Sequence, residues 1–164
     1  MAYQVVDYPQ DKTAFYRMLV DQLTIYTANA PTAMAGLANA SAVMAAALHD
    51  INWVGFYLVK DEQLVLGPFQ GLPAVMTIPF GQGVCGAAWR DRQVQVVADV
   101  HCFVGHIACD CSSNAEVAVP VLDAGNSVCG VIDIDSPQTG RFDVADAAGL
   151  QQVAAVLAPL MIRT

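Results

Sequence analysis

Three cysteines, two histidines and an aspartate fall within the eleven residues His101-Cys102-Phe103-Val104-Gly105-His106-Ile107-Ala108-Cys109-Asp110-Cys111. A fourth cysteine, Cys85, sits in the glycine frame Gly81-Gln82-Gly83-Val84-Cys85-Gly86, where missing side chains let backbone approach a small ligand. Downstream are Glu116 and the run Val131-Ile132-Asp133-Ile134-Asp135. Thiols beside carboxylates support redox or metal chemistry. Cys109 could be a nucleophile, a ligand or a buried thiol, and taken alone it reads first as a thiol packing like a small hydrophobe. Cys85 at a helix start is expected to have its thiolate favoured by the helix dipole, and two candidate thiols suggest an attacking and resolving pair. Cys129, in an apolar strand, reads as core.

A zinc site would draw on His101, Cys102, His106, Cys109 and Cys111. Structural zinc usually joins two separated ligand pairs, and this single short run has no matching CxxC, so neither metal nor cofactor is expected. Asp133 and Asp135 are two apart on a strand and share a face, with Ile132 and Ile134 on the other; that face reads either as an exposed edge or, with Glu116, as three acids converging on one pocket. Crowded carboxyls raise one another's pKa and hold protons near neutral pH. The same crowding disfavours a thiolate on Cys109, so the acids are better used to protonate a substrate oxygen and make its neighbouring atom electrophilic. Sulfoxide reduction has this logic, its oxygen leaving as water. Trp53 and Tyr57, four apart on one strand face, read either as core or as an apolar wall for a methyl or thioether group.

The elements that must position these residues follow from periodicity. Lys12 to Tyr26 reads as an amphipathic helix, and the alanine-rich stretch Thr32 to Leu48 as a second, closely packed one. Asn52–Val59 and Leu64–Leu66 form a hairpin turning at Asp61-Glu62, with Gly67-Pro68 and Gly71-Leu72-Pro73 as loop signals. Met76–Ile78 is a short strand, Val84–Arg90 a short helix and Gln95–Val97 a strand. Glu116–Leu122 and Ser127–Asp135 are long strands joined by a turn at 123–126. Asp143 caps a last helix from Val144 to about Leu157, which Pro159 is expected to limit. The expected fold is α+β: one domain over residues 1–164, a central antiparallel sheet with terminal helices on one face and the cysteine loop and short helix over the other.

Composition narrows the partners. An apolar fraction of 55% with 13% charged residues implies a large interior for 164 residues. No apolar run approaches the roughly 20 residues of a membrane helix, and Met1-Ala2-Tyr3-Gln4 carries no signal-peptide pattern, so a cytoplasmic protein without membrane contact is expected. Five cysteines in a reducing compartment argue against a disulfide framework. A formal net charge of -8 leaves no basic footprint for nucleic acid.

Five blocks, Asn52-Trp53-Val54-Gly55-Phe56-Tyr57, Leu66-Gly67-Pro68-Phe69-Gln70-Gly71, Gly81–Gly86, Gly105-His106-Ile107-Ala108-Cys109-Asp110 and Gly130–Ser136, closely resemble in order those of the free methionine-(R)-sulfoxide reductases, which are GAF-domain enzymes. The resemblance covers about Phe15 to Leu157. It implies that Cys109 attacks the sulfoxide sulfur of free methionine-(R)-sulfoxide and becomes a sulfenic acid, that Cys85 condenses with it to a disulfide, and that thioredoxin is the reductant. It also implies that Glu116, Asp133 and Asp135 surround the sulfoxide oxygen, that Trp53 packs on the substrate methyl, that Tyr57 lines the pocket, and that a homodimer is compatible with the chain. One departure touches recycling: the family often has a cysteine ten positions before Cys85, where this chain has Val75. The competing reading is a non-catalytic GAF module that binds a small molecule and signals, although 164 residues are expected to leave no room for an output domain.

Overall fold

The computed structural model describes residues 6–105, 107 and 112–163. Its frame is a six-stranded antiparallel sheet ordered β3-β2-β1-β6-β5-β4, with β1 Trp53–Lys60, β2 Gln63–Gln70, β3 Thr77–Pro79, β4 Gln95–Val97, β5 Ala115–Leu122 and β6 Val128–Ser136. The helices are α1 Lys12–Thr27, α2 Ala33–Ala47, α3 Gly83–Asp91 and α4 Val144–Met161, with a 3₁₀ turn at Val100–Cys102. The α+β architecture expected from the periodicities is the one observed.

Alternation along the central strands sorts the core into two. Val54, Phe56 and Leu58 of β1, Val117 and Val119 of β5, and Ile132 and Ile134 of β6 join the helices in the larger cluster. Trp53, Tyr57, Ala118 and Val131 point the other way, into a smaller cluster with Val84, Cys85 and Ala88 of α3. On the first side α2 and α4 lie against the sheet and α1 packs across both helices. Gly149 of α4 admits the Tyr16 ring, which a Cβ there would meet at 2.0 Å. The Tyr16 hydroxyl donates to Asp146 Oδ1 at 2.8 Å.

Asp146 also accepts from Lys12 Nζ at 2.6 Å, lies 3.5 Å from Arg141 Nη1, and completes a capping box with Asp143. This buried hub fixes α1 to the start of α4. The sequence marked Asp143 as the cap but not Asp146 as the junction.

Two expectations need correction. Pro159 lies inside α4, which runs to Met161; in a last turn the ring removes only one backbone bond, and burial of Leu157, Leu160 and Met161 carries the helix through it. Gly67 and Pro68 are not a loop but part of β2. Between the pairs Gly55↔Phe69 and Tyr57↔Leu66 they stand together opposite Phe56, an extra residue that bulges the strand and needs no N–H from proline. The β1–β2 turn is two residues long, Asp61 and Glu62, both with positive φ (46° and 62°), the hand that suits strand twist. Among the described residues α4 alone has the length and hydropathy of a membrane span, and half of that stretch is buried within this fold.

Candidate active site

On the α3 side of the sheet, neighbouring strands bring the acids together. Glu116 of β5 stands directly opposite Asp135 of β6, and Asp133 follows two residues along on the same face. Register with β1 sets Trp53 opposite Asp135 and Gly55 opposite Asp133. All three acids are buried, at 5%, 2% and 3% exposure for Glu116, Asp133 and Asp135. α3 lies over them and delivers Cys85, whose thiol donates to Glu116 Oε1 at 3.9 Å. Donor atoms of Cys85, Glu116 and Asp133 all lie within 4.8 Å of one another. Asp133 Oδ1 is buried without a hydrogen-bond partner among the described residues, an atom that a bound polar group would satisfy.

α3 can settle this close because of two glycines. Gly86 abuts the backbone of Pro79 and Gly81, which a Cβ would meet at 3.0 Å, and Gly83 holds a φ of +63° beneath Ile107. Arg92, left-handed at φ 54°, ends the helix.

Burial and neighbouring charge set the protonation states. Burial is the largest cause that pushes the Cys85 thiol well above its usual value, followed by the charges of Asp133, Glu116 and Asp135. The dipole-favoured thiolate expected at Cys85 is therefore overturned: its position in the first turn of α3 counts for less than the loss of water and three acids. Burial, then the charge of Asp135, lifts Glu116 well above the carboxylate range. Burial, then the charge of Glu116 and a hydrogen bond shared with it, does the same for Asp133. Burial and mutual charge thus favour the protonated forms of Cys85, Glu116 and Asp133.

The apolar wall is equally fixed. Trp53 stacks on Phe69 (ring centroids 5.2 Å apart, planes 14°) and on Tyr57 (6.1 Å, 23°), and its Nε1 donates to the Leu72 carbonyl at 3.1 Å. Phe69 lay within one of the sequence blocks, yet nothing in its spacing marked it as the support of Trp53. Gly55 makes room: a Cβ there would come within 2.4 Å of Phe69 Cβ and 2.6 Å of Trp53 Cη2. The Tyr57 hydroxyl donates to the Val75 carbonyl at 2.9 Å. The position that departs from the family pattern thus meets the site through its backbone.

Cys109, with His106, Asp110 and Cys111, lies outside the described residues. The residues on either side of the segment are placed. Ile107 packs onto the smaller cluster above Gly83, and Asn52, beside Trp53, donates from Nδ2 to Ser112 Oγ at 3.2 Å and Ser113 Oγ at 3.0 Å. His101 lies away in the 3₁₀ turn, its Nε2 3.1 Å from Asn114 Oδ1. Cys102 is exposed, and Cys129 is half-buried against the helix-side core.

Residues 39–161 match the model of the GAF domain family. The chain is 47% identical over 154 residues to the free methionine-R-sulfoxide reductase of Escherichia coli, covering 94% of this chain and 93% of that protein. Its fold superposes with a TM-score of 0.90 on the free methionine-R-sulfoxide reductase of Neisseria meningitidis in complex with its substrate, at 39% identity and with 98% and 97% of the chains covered. The fRMsr of Staphylococcus aureus, also a complex with substrate, gives 0.83 at 42% identity, covering 96% and 99%. Taken with the thiol and acids beneath α3, these likenesses run through the whole site-bearing region: this chain belongs to the free methionine-(R)-sulfoxide reductases, oxidoreductases built on a GAF domain.

Proposed function

We propose that the protein reduces free L-methionine-(R)-sulfoxide through Cys109 and Cys85, with thioredoxin restoring the thiols. The observation that carries the reading is the buried Cys85–Glu116–Asp133 cluster, whose acids hold protons and whose Asp133 Oδ1 lacks a partner among the described residues. Cys109 attacks the sulfoxide sulfur, forming a sulfur–sulfur bond, while an acid of the cluster protonates the sulfoxide oxygen. The hydroxyl group then passes from the substrate sulfur to the Cys109 sulfur as the sulfur–sulfur bond breaks, so that methionine leaves with that bonding pair and Cys109 is left as a sulfenic acid.

The acid that has given its proton is now a base. Glu116, 3.9 Å from the Cys85 sulfur, is placed to take the thiol proton, which offsets the raised pKa of Cys85. The resulting thiolate attacks the sulfenic sulfur and expels water, closing a Cys85–Cys109 disulfide. A dithiol such as thioredoxin then reduces it, so two electrons enter for each methionine released. Ile107, two positions before Cys109 in the sequence, packs over Gly83, two positions before Cys85, which supports the pairing. Trp53 and Tyr57 serve as the wall for the thioether end, and Asp135, opposite Glu116 in the sheet, completes the acid cluster around the sulfoxide oxygen.

One GAF domain in a reducing, cytoplasmic setting suffices for this scheme. The test is thioredoxin consumption with the free (R) epimer, set beside the (S) epimer and a peptide-bound sulfoxide. Rapid turnover of the free (R) epimer alone is expected; equal rates on a peptide, or binding without consumption, would remove the reading.

A further inference from the structure

We propose that Cys85, Glu116 and Asp133 form a zinc-binding site, and that the bound ion switches the enzyme off. The inhibitory consequence rests on the function proposed above; the binding itself rests on geometry alone. The three side chains come from different elements, α3, β5 and β6, so they converge on a point instead of lying in a row. One sulfur and two carboxyl oxygens lie mutually within 4.8 Å, with 3.9 Å between Cys85 Sγ and Glu116 Oε1. In a tetrahedral zinc site, bond lengths of about 2.0 Å to oxygen and 2.3 Å to sulfur place the donors roughly 3.3–3.5 Å apart. Side-chain adjustments of about 1 Å therefore close the site.

A second observation points independently to a ligand. Asp133 is 2% exposed and its Oδ1 has no hydrogen-bond partner among the described residues. A cation would satisfy that atom directly. The donor set also selects the ion: one thiolate with two carboxylates suits borderline-soft zinc, whereas magnesium and calcium ask for six or more oxygens. Three protein donors leave the fourth position to water.

Binding displaces the thiol proton to the medium, with no change of oxidation state. The ion occupies the side chains that the proposed reduction uses, and the thiol it holds is the one that closes the disulfide. Zinc therefore acts as a reversible inhibitor and not as a cofactor, and free zinc competes with turnover.

Cobalt(II) added to the reduced protein provides a direct probe, because a thiolate ligand gives a charge-transfer absorption and a tetrahedral site intensifies the d–d bands. One equivalent is expected to bind, to be displaced by zinc, and to inhibit turnover until a chelator is added. Cys85→Ser is expected to abolish the charge-transfer band, and Asp133→Asn and Glu116→Gln each to weaken zinc binding about tenfold or more. Cys109→Ser, Cys102→Ser and His101→Ala are expected to retain it. A band that survives in Cys85→Ser, or that vanishes in Cys102→Ser or His101→Ala, would place the metal on the loop and overturn the inference, as would the absence of stoichiometric binding. If Cys85→Ser fails to fold, unchanged affinity in Asp133→Asn and Glu116→Gln overturns it equally. Because the bands are read without substrate, binding in a protein that does not reduce sulfoxide removes the proposed function and leaves the metal site standing.

Discussion

Cys85 Sγ stands 3.9 Å from Glu116 Oε1, and both groups are shut away from solvent. A thiol in that position keeps its proton until the neighbouring carboxyl has lost one, which suits the second chemical step better than the first. Cys85→Ser is expected to release one equivalent of methionine per site and then stall with thioredoxin. Cys109→Ser is expected to release none. Peptide mapping after one equivalent of sulfoxide decides the pairing: a Cys102 or Cys111 link to Cys109, with normal recycling in Cys85→Ser, would transfer the resolving role.

The acids impose a pH dependence of definite sign. Burial lifts Glu116 and Asp133 well above the ordinary carboxylate range, so the folded chain keeps protons that the unfolded chain releases above about pH 4. Their contribution to stability is full below that pH and is lost as pH rises through the folded values. Asp133→Asn is expected to flatten the alkaline side of the stability profile and to raise Tm at pH 8 by roughly 2–4 °C, for about 1 kcal/mol. Turnover in the same variant is expected to fall ~10²-fold or more. Urea unfolding across pH 5–9 measures the first effect; a slope unchanged from the parent chain would refute it.

Gly55 tests the placement of Trp53. A methyl group there would collide with Phe69 and Trp53, so Gly55→Ala is expected to destabilise by about 1–3 kcal/mol and to raise KM for the sulfoxide without abolishing single-turnover release of methionine. Retention of the parent KM would detach the indole from substrate binding.

Asp146 tests the helix layer in isolation from the chemistry. Its removal leaves Lys12, Tyr16 and Arg141 without their shared acceptor, and Asp146→Ala is expected to cost about 3–5 kcal/mol. The hydrogen bond from Lys12 is the largest cause holding Asp143 down at about 2. Its contribution to stability is present above the unfolded value of about 3.9 and is lost as pH falls toward 2. Lys12→Met is expected to shallow that acid slope in urea titrations at pH 7 and pH 3.

Much of this arrangement was legible in the chain, for a physical reason in each case. Period-two alternation put Asp133 and Asp135 opposite Ile132 and Ile134, and the glycine frame marked where α3 comes close. What alternation does not carry is depth. The helix-start position of Cys85 suggested an activated thiolate, and burial of the thiol, followed by the charges of Asp133, Glu116 and Asp135, reversed the sign. Pro159 and Pro68 read as breaks because local propensity was all there was to weigh; burial in one case and a bulge in the other absorbed them. The Asp146 junction and the Phe69 support for Trp53 depend on contacts between residues far apart in sequence, and no local spacing announces them.

The alternation of β6 also bears on how faithfully the chain finds its fold. Asp133 and Asp135 face the α3 side while Ile132 and Ile134 face the helices, so a pairing shifted by one residue would thrust two carboxyl groups among Val117, Phe56 and Leu150 and turn the isoleucines toward Glu116 of β5. Carboxyl groups there would face apolar side chains without hydrogen-bond partners, at a cost of roughly 2 kcal/mol or more each, which disfavours the shifted pairing. The groups that would hold the proton for chemistry also keep the central strand in register while the protein assembles.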